Sequence, residues 1–212
     1  MRYTLQPLRL TRSQRITGYF VVALASIMTL LQLANLCWPQ AQLLSQLEFI
    51  VGQPLSQQPW RIITAHFIHL DWQHLVVNVV AFVAAWWIFA ANYTSLRMAC
   101  LLTFSALGAA VLSHFFAPAH SFVGFSALTH GMVGFATMQV LRGNSDIRMS
   151  IGALMLLAIV IKTVVELNAQ QINWLGVEAA AHAHLGAMLA GLIFGALTPT
   201  LTRNVNNNKK AP

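Results

Sequence analysis

This chain contains six apolar runs of about twenty residues each, and they constrain its fold more than any other feature. An α-helix needs about 20 mainly apolar residues to cross the hydrocarbon core of a bilayer, because each residue adds about 1.5 Å along the axis. A helix also satisfies its own backbone hydrogen bonds, which lipid cannot do for it. The sequence therefore predicts an all-α polytopic membrane protein built as a bundle of six transmembrane helices. The predicted spans cover approximately residues 16–38, 69–90, 96–116, 122–141, 147–166 and 179–200.

Composition excludes a soluble domain. Hydrophobic residues make up 57% of the chain and charged residues only 8%, whereas soluble domains carry about 25% charged residues. The net charge of +7 is distributed between the apolar runs rather than concentrated on one helix or face. It therefore argues against nucleic acid as a partner. We expect membrane lipids to surround most of the chain.

Lysine and arginine predict the orientation, because cytoplasmic loops are enriched in both. With the N-terminus inside, the inner segments hold ten basic residues and the outer segments hold only Arg61 and Lys162. The expected location is the bacterial inner membrane, with both termini in the cytoplasm and the other face towards the periplasm. The predicted division is a cytoplasmic N-terminal segment (1–15), a membrane domain (16–200) that includes an outer loop (39–68), and a cytoplasmic tail (201–212).

The outer loop carries an apolar stretch. Its residues are Leu43, Leu44, Leu47, Phe49 and Ile50. We predict that they lie along the membrane interface as an amphipathic element, with a solvated loop as the alternative. Trp60 beside Arg61 is typical of an interfacial anchor.

The two cysteines, Cys37 and Cys100, fall near opposite faces of the bilayer in this topology. They are therefore too far apart to form a disulfide. We expect each to be a free thiol in a buried helix.

Histidine is unusually frequent and unevenly placed. The chain has eight histidines and only five acidic residues, and in the predicted topology every histidine lies in the outer half or the outer loops. Ionisable groups inside a membrane are costly and usually functional. The pattern predicts a polar, hydrated site at the outer face. The histidines are His66, His69, His74, His114, His120, His130, His182 and His184.

The fourth and sixth spans supply a nucleophile and a base. Ser126 lies near the outer end of the fourth span, two residues after Gly124, and His130 follows one turn deeper on the same face. On the sixth span, His184 lies beside a stripe of small residues that lets a neighbouring helix approach closely. A serine and a histidine on tightly packed neighbours come within hydrogen-bond reach. The stripe consists of Ala183, Ala187, Gly191 and Gly195.

No aspartate or glutamate in the spans is placed to complete a triad, so we predict a catalytic dyad of Ser126 and His184. We expect His130 to orient His184 by stacking or by hydrogen bonding. His182 lies two positions from His184, so it faces away, towards the outer loop or the lipid headgroups.

The second span supplies candidate oxyanion donors. His74 and Asn78 are four residues apart and share a helix face. Acyl transfer builds negative charge on the carbonyl oxygen, and donors aimed at that oxygen lower the barrier. His74, Asn78 and the backbone N–H of Ser126 are the predicted donors. The alternative is that Asn78 only links neighbouring helices.

Four short motifs occur in order between residues 58 and 196. They are Pro59-Trp60-Arg61 with Thr64, His69 followed by His74 and Asn78, Gly124-Phe125-Ser126, and Ala183-His184 with Ala187 and Gly191. Together they resemble the motifs of the rhomboid family of intramembrane serine proteases. The resemblance implies six packed helices around a water-filled cavity that opens to the outer face. It also implies cleavage of transmembrane or membrane-anchored substrates near the membrane surface, with no metal or cofactor.

Two positions differ from many members of that family. Ala127 follows the serine where many relatives have glycine, and His130 stands where many have tyrosine. The Ser-x-x-x-His-Gly arrangement and the compact length resemble the rhombosortase branch. That resemblance implies substrates with a C-terminal Gly-Gly sorting tail, composed of an apolar helix followed by basic residues.

Three alternative functions are open at this point. A catalytically inactive rhomboid relative would bind membrane helices without cutting them. A haem or metal protein would use pairs such as His182 with His184 or His66 with His69. A transporter or channel would require charged residues near the bilayer midplane and inverted repeats, and the sequence shows neither.

Overall fold

The computed structural model of the protein describes residues 10–117, 121–143, 145–168 and 180–200. The predicted tail (201–212), most of the N-terminal segment and His120 lie outside the described residues. The elements in chain order are α1 (Arg12–Cys37), a 3-10 turn (Pro39–Ala41), α2 (Leu43–Leu47), β1 (Phe49–Ile50), α3 (Arg61–Thr64), α4 (Trp72–Ile88), a second 3-10 turn (Ala90–Asn92), α5 (Ser95–Phe116), β2 (Ser121–Phe122), α6 (Ser126–Leu141), α7 (Asp146–Asn168) and α8 (Ala181–Leu197).

Each predicted span contains one helix of at least 16 residues, and the predicted all-α polytopic bundle is confirmed. Within the described residues, α1, α5 and α7 are long and apolar enough to cross a membrane, and α4 and α8 are shorter apolar helices. The largest shifts in a boundary are four residues, at the first span, where α1 begins already at Arg12, and at the fourth span, where α6 begins only at Ser126. The preceding residues form β2, which pairs antiparallel with β1, and a turn at Gly124.

Helix α8 packs against α5 on one side and α6 on the other through glycines. A Cβ atom added at Gly108 of α5 would lie 2.5 Å from the carbonyl oxygen of Gly186 of α8. A Cβ atom at Gly191 of α8 would overlap the carbonyl oxygen of Gly131 of α6. The backbones therefore approach as closely as small residues allow. This is the closely packed interior that the small-residue stripe predicts.

Side chains of α6 hold the far end of α8, opposite Ser126. The last carbonyls of a helix have no donors within that helix. Arg142 Nη1 donates to the carbonyl oxygens of Gly195 (2.8 Å), Ala196 (2.9 Å) and Thr198 (2.8 Å). Gln139 Nε2 also donates to the Gly195 oxygen at 2.9 Å. A cation at a helix C-terminus is stabilising as well, so α6 and α8 are joined along their length and at this end.

Helix α7 lies at the edge of the bundle. Among its described residues only Gly152 and Ile159 are buried. Gly152 approaches Leu141 of α6 closely, since a Cβ atom there would lie 2.7 Å from Leu141 Cγ. Most of the remaining apolar side chains of α7 are exposed, as expected for a helix in contact with lipid.

The predicted interfacial anchor in the outer loop is half wrong. Trp60 is half exposed, as an anchor would be, but the Arg61 side chain is buried. Its guanidinium donates to the carbonyl oxygens of Ser45 (2.8 Å) and Glu48 (2.6 Å), so it braces the loop from inside. The physical reason is that these carbonyls belong to the short α2 and its end, which offer acceptors to a buried donor.

The prediction for the cysteines is also half wrong. Cys37 and Cys100 are both free, as expected, but both are exposed rather than buried. Each belongs to a long helix with a large outward face, and the sequence pattern does not reveal which face carries the thiol.

Candidate active site

Ser126 is the first residue of α6 and follows a turn that requires glycine. Gly124 has a φ of 105°, which only glycine adopts freely. Its N–H donates to the carbonyl oxygen of Ala65 at 2.8 Å, which ties the turn to the outer loop. Because Ser126 begins the helix, its N–H has no acceptor within α6.

The structure brings Ser126 and His184 into contact. Ser126 Oγ lies 2.8 Å from His184 Nε2, so the hydroxyl can donate to the ring nitrogen. His184 belongs to the first turn of α8 and is only 9% exposed. The close packing of α6 on α8 sets this distance. The contact is the geometry expected of a serine nucleophile and its general base.

His130 lies flat against His184. The two ring centroids are 4.2 Å apart and the rings are 12° from parallel. His130 Nδ1–H donates to the carbonyl oxygen of Ser126 at 2.7 Å, one turn back along α6. This hydrogen bond fixes the His130 ring, and the stack restricts rotation of the His184 ring.

An acidic side chain reaches His184, so the prediction that none would is wrong. Glu166, near the end of α7, places Oε2 at 3.3 Å from His184 Nδ1. Its other oxygen lies 2.5 Å from Lys162 Nζ, one turn earlier on α7. The sequence gives the depth of Glu166 but not the direction in which that face of α7 points. The available signal was two charged residues, four apart, in an otherwise apolar span.

His74 and Asn78 lie beside the turn that precedes Ser126. A Cβ atom at Gly124 would lie 2.8 Å from His74 Nε2 and 3.6 Å from Asn78 Nδ2. One amide hydrogen of Asn78 is used within α4, where Nδ2 donates to the carbonyl oxygen of His74 at 2.8 Å. Its second amide hydrogen and His74 Nε2 remain as donors on the Gly124 side. These groups therefore line the same turn, and glycine at 124 leaves room for them.

His66 and His69, which precede α4, form hydrogen bonds with the backbone of the turn at Gly124. His66 Nδ1–H donates to the carbonyl oxygen of Gly124, and the Phe125 N–H donates to His69 Nε2, both at 3.4 Å. Both side chains are fully buried. Burial lowers the pKa of His66, in the outer loop, to about 4, so its ring is neutral near pH 7. Sequence reasoning missed His66 as part of this support.

Three side chains at the site could in principle hold a metal ion. Donor atoms of His130, Glu166 and His184 lie within 4.8 Å of one another. An imidazole binds a metal in its ring plane, yet the two rings are nearly parallel and stacked. A single ion cannot lie in both planes without rotating one ring away from Ser126. The arrangement therefore fits acid–base chemistry better than metal binding.

A family model described as Rhomboid domain matches residues 56–200, which include α3 to α8 and both Ser126 and His184. The chain belongs to the rhomboid family. Rhomboids are intramembrane serine proteases, although some members are inactive. A search of curated proteins finds no match. The site of this rhomboid therefore has to be judged from its own geometry.

Proposed function

We propose that this rhomboid is an active serine endopeptidase that cuts transmembrane or membrane-anchored proteins, with Ser126 as nucleophile and His184 as general base. The carrying observation is the 2.8 Å contact between Ser126 Oγ and His184 Nε2. Support comes from the small-residue packing beneath it, which holds the two helices in place. An inactive relative has no need of a serine and a histidine in this contact.

The first half of the reaction forms an acyl-enzyme. Ser126 Oγ attacks the substrate carbonyl carbon while its proton moves to His184 Nε2. The carbonyl oxygen becomes an oxyanion, for which His74, Asn78 and the Ser126 N–H are the proposed donors. The carbon–nitrogen bond then breaks, and His184 gives its proton to the leaving amine.

The second half releases the product. Water attacks the ester carbon and gives a proton to His184, and the ester bond breaks as Ser126 Oγ takes that proton back. In this proposal the neighbours of the pair, His130 and Gly124, act indirectly. His130 holds the ring of His184, and Gly124 leaves the space that the oxyanion donors need.

The test is covalent labelling with a fluorophosphonate probe, which reacts with activated serines. We expect the purified wild-type protein and the His182→Ala variant to be labelled, and Ser126→Ala and His184→Ala to remain unlabelled. His182 is the matched control, because it is a histidine two residues from His184, and among the described side chains the hydrogen bond to Ser126 Oγ comes from His184. Absence of labelling in folded wild type, beside a rhomboid that does label, would favour the inactive relative.

We further propose that the substrates carry C-terminal Gly-Gly sorting tails, as in the rhombosortase branch. His130 and Ala127 beside the nucleophile support this, since many rhomboids have tyrosine and glycine there. The proposed setting is the bacterial inner membrane, with the Ser126 end facing the periplasm and both termini in the cytoplasm. The membrane domain covers 16–200, flanked by 1–15 and 201–212.

The substrate class is testable by a pair of reporters. One reporter ends in a Gly-Gly segment, an apolar helix and basic residues, and the other has Leu-Leu in place of Gly-Gly. Glycine lowers the cost of unwinding a helix end into the site. We expect cleavage of the first reporter only. Equal cleavage of both would retain the protease and reject the Gly-Gly specificity.

A further inference from the structure

We propose that Glu166 is a positioning residue that converts the Ser126–His184 pair into a triad, with its carboxylate held in place by Lys162. This inference rests on the proposed function, because it assigns a role in the same reaction. In this triad the serine lies on α6, the histidine on α8 and the acid on α7.

The hydrogen bonds form one connected chain. With the Ser126 hydroxyl donating to Nε2, the ring proton of neutral His184 sits on Nδ1, which faces Glu166 Oε2 at 3.3 Å. The acceptor on that side fixes the tautomer that leaves Nε2 free to take a proton. When His184 becomes positively charged, the carboxylate stabilises it. Glu166 therefore acts through His184 and does not touch the reacting atoms.

Lys162 sets the direction of the carboxylate. Its ammonium lies 2.5 Å from Glu166 Oε1, so the other oxygen is left for His184. The Glu166 side chain is 19% exposed and the Lys162 side chain 49% exposed. A half-exposed lysine contributes little stability by itself. In this proposal it keeps the Glu166 carboxylate turned towards α8.

Other charged or titratable groups also face His184. His130 of α6 stacks on it. His66, before α4, and His74, on α4, lie within electrostatic range. All three are histidines, which oppose a second positive charge when protonated. Among the described residues near His184, Glu166 is the acid that favours the charged ring.

The contact depends on the position of α7. Glu166 is close to the end of a helix that buries little of its own surface. A movement of α7 away from α8 by a few ångströms would break the hydrogen bond while leaving Ser126 and His184 together. The proposal therefore includes a conformational condition, because full activity requires α7 to be docked.

The experiment measures the rate of fluorophosphonate labelling between pH 5 and 9 for wild type, Glu166→Gln, Glu166→Asp and Lys162→Gln. Asp146→Asn is the matched control, since it removes the same charge at the other end of α7. We expect Glu166→Gln to label about 10- to 100-fold more slowly, the worth of a hydrogen bond to a charged group. We expect a loss of about two- to fivefold for Lys162→Gln, partial recovery in Glu166→Asp, and no change in Asp146→Asn.

Two readouts separate positioning from a structural role. Partial recovery in Glu166→Asp is expected if His184 Nδ1 needs a carboxylate beside it, whereas a variant that merely loosens the helix is not rescued by the shorter acid. NMR of ¹⁵N-labelled histidines, with His184→Ala to assign the signal, shows which ring nitrogen carries the proton. We expect the proton on Nδ1 in wild type and a weaker preference for that tautomer in Glu166→Gln.

The outcomes distinguish the two proposals. If wild type is labelled and Glu166→Gln matches it in rate and profile, the triad is rejected and the Ser126–His184 protease stands. If wild type is not labelled, the proposed function fails first. In that case an unchanged tautomer of His184 in Glu166→Gln would reject the contact independently.

Discussion

The α6–α8 interface and helix α7 meet at the same histidine but are built differently. Along α6 and α8, glycines bring the backbones together, and Arg142 and Gln139 fasten the far end. Helix α7 buries only Gly152 and Ile159 of its described residues. The pair that exchanges the proton therefore lies on the closely packed side, whereas the acid beside it comes from the loosely packed side.

The difference separates two requirements of a catalytic site. Transfer of a proton from Ser126 to His184 needs a fixed short distance, which a close-packed interface supplies. A substrate helix, however, needs room to reach the site from the membrane. A weakly attached helix can provide that room by moving away. Any contact that it makes with the site then exists only while the helix is docked.

The largest effect is expected from a substitution that disrupts the α6–α8 interface. In Gly191→Leu the new side chain overlaps the Gly131 carbonyl, so α6 and α8 must separate and the Ser126–His184 contact is lost. We expect no labelling and a strongly lowered melting temperature, with about 1–3 kcal/mol or more of destabilisation. Val160→Leu on exposed α7 serves as the control and should behave as wild type. Equal losses of labelling and of melting temperature in both variants would contradict the proposed difference between the two regions.

A smaller effect concerns the turn beneath Ser126. His66 is neutral when folded, with a pKa lowered to about 4 by burial, whereas the unfolded chain takes up a proton near pH 6.5. Its stabilising contribution is therefore complete above pH 6.5 and is lost as the pH falls towards 4, a change of about 3 kcal/mol. Thermal unfolding in detergent from pH 4 to 8 should show this loss, reduced in His66→Asn and unchanged in His182→Ala.

That measurement also bears on the comparison. If acid sensitivity in His66→Asn equals that of wild type, the turn is not held by the neutral ring and the support beneath Ser126 has another origin.

The smallest expected effect sharpens the comparison at His130. Replacing His130 with tyrosine, the residue of many rhomboids, keeps an aromatic ring stacked on His184. We expect the labelling rate to change by less than about threefold, whereas His130→Ala removes the stack, worth about 0.5–1.5 kcal/mol, and slows labelling by up to about tenfold. A tyrosine variant as slow as the alanine variant would show that the imidazole itself, through its bond to the Ser126 carbonyl, is required.

Much of this architecture follows from sequence patterns with a simple physical basis. The length of an apolar run predicts a spanning helix, and the four-residue recurrence of Ala183, Ala187, Gly191 and Gly195 predicts a close neighbour. These patterns therefore suffice to predict that Ser126 and His184 are paired. The oxyanion roles of His74 and Asn78 stay predictions, although both residues lie beside Gly124.

The contributions that escaped prediction depend on rotation of a helix about its own axis. Helix α7 is apolar on most of its circumference, so its pattern does not show which face turns inward. The contact of Glu166 with His184 and the exposure of Cys100 both depend on how their helices are rotated. Arg61 escaped for a related reason, because its acceptors are backbone carbonyls, which leave no trace in residue identity.

The unequal helix lengths have a consequence for the surrounding membrane. Helix α4 exposes Val76, Val80 and Trp87, yet its 17 residues extend only about 26 Å. Helix α1 has 26 residues and extends about 39 Å. The apolar part of α1, residues 16–37, extends about 33 Å. A hydrocarbon layer of about 30 Å therefore fits α1 but must thin beside α4. The perimeter of the protein is therefore uneven in thickness. A foreign helix of ordinary length that drifts to the α4 flank would have its ends uncovered by lipid before it touches a single catalytic residue.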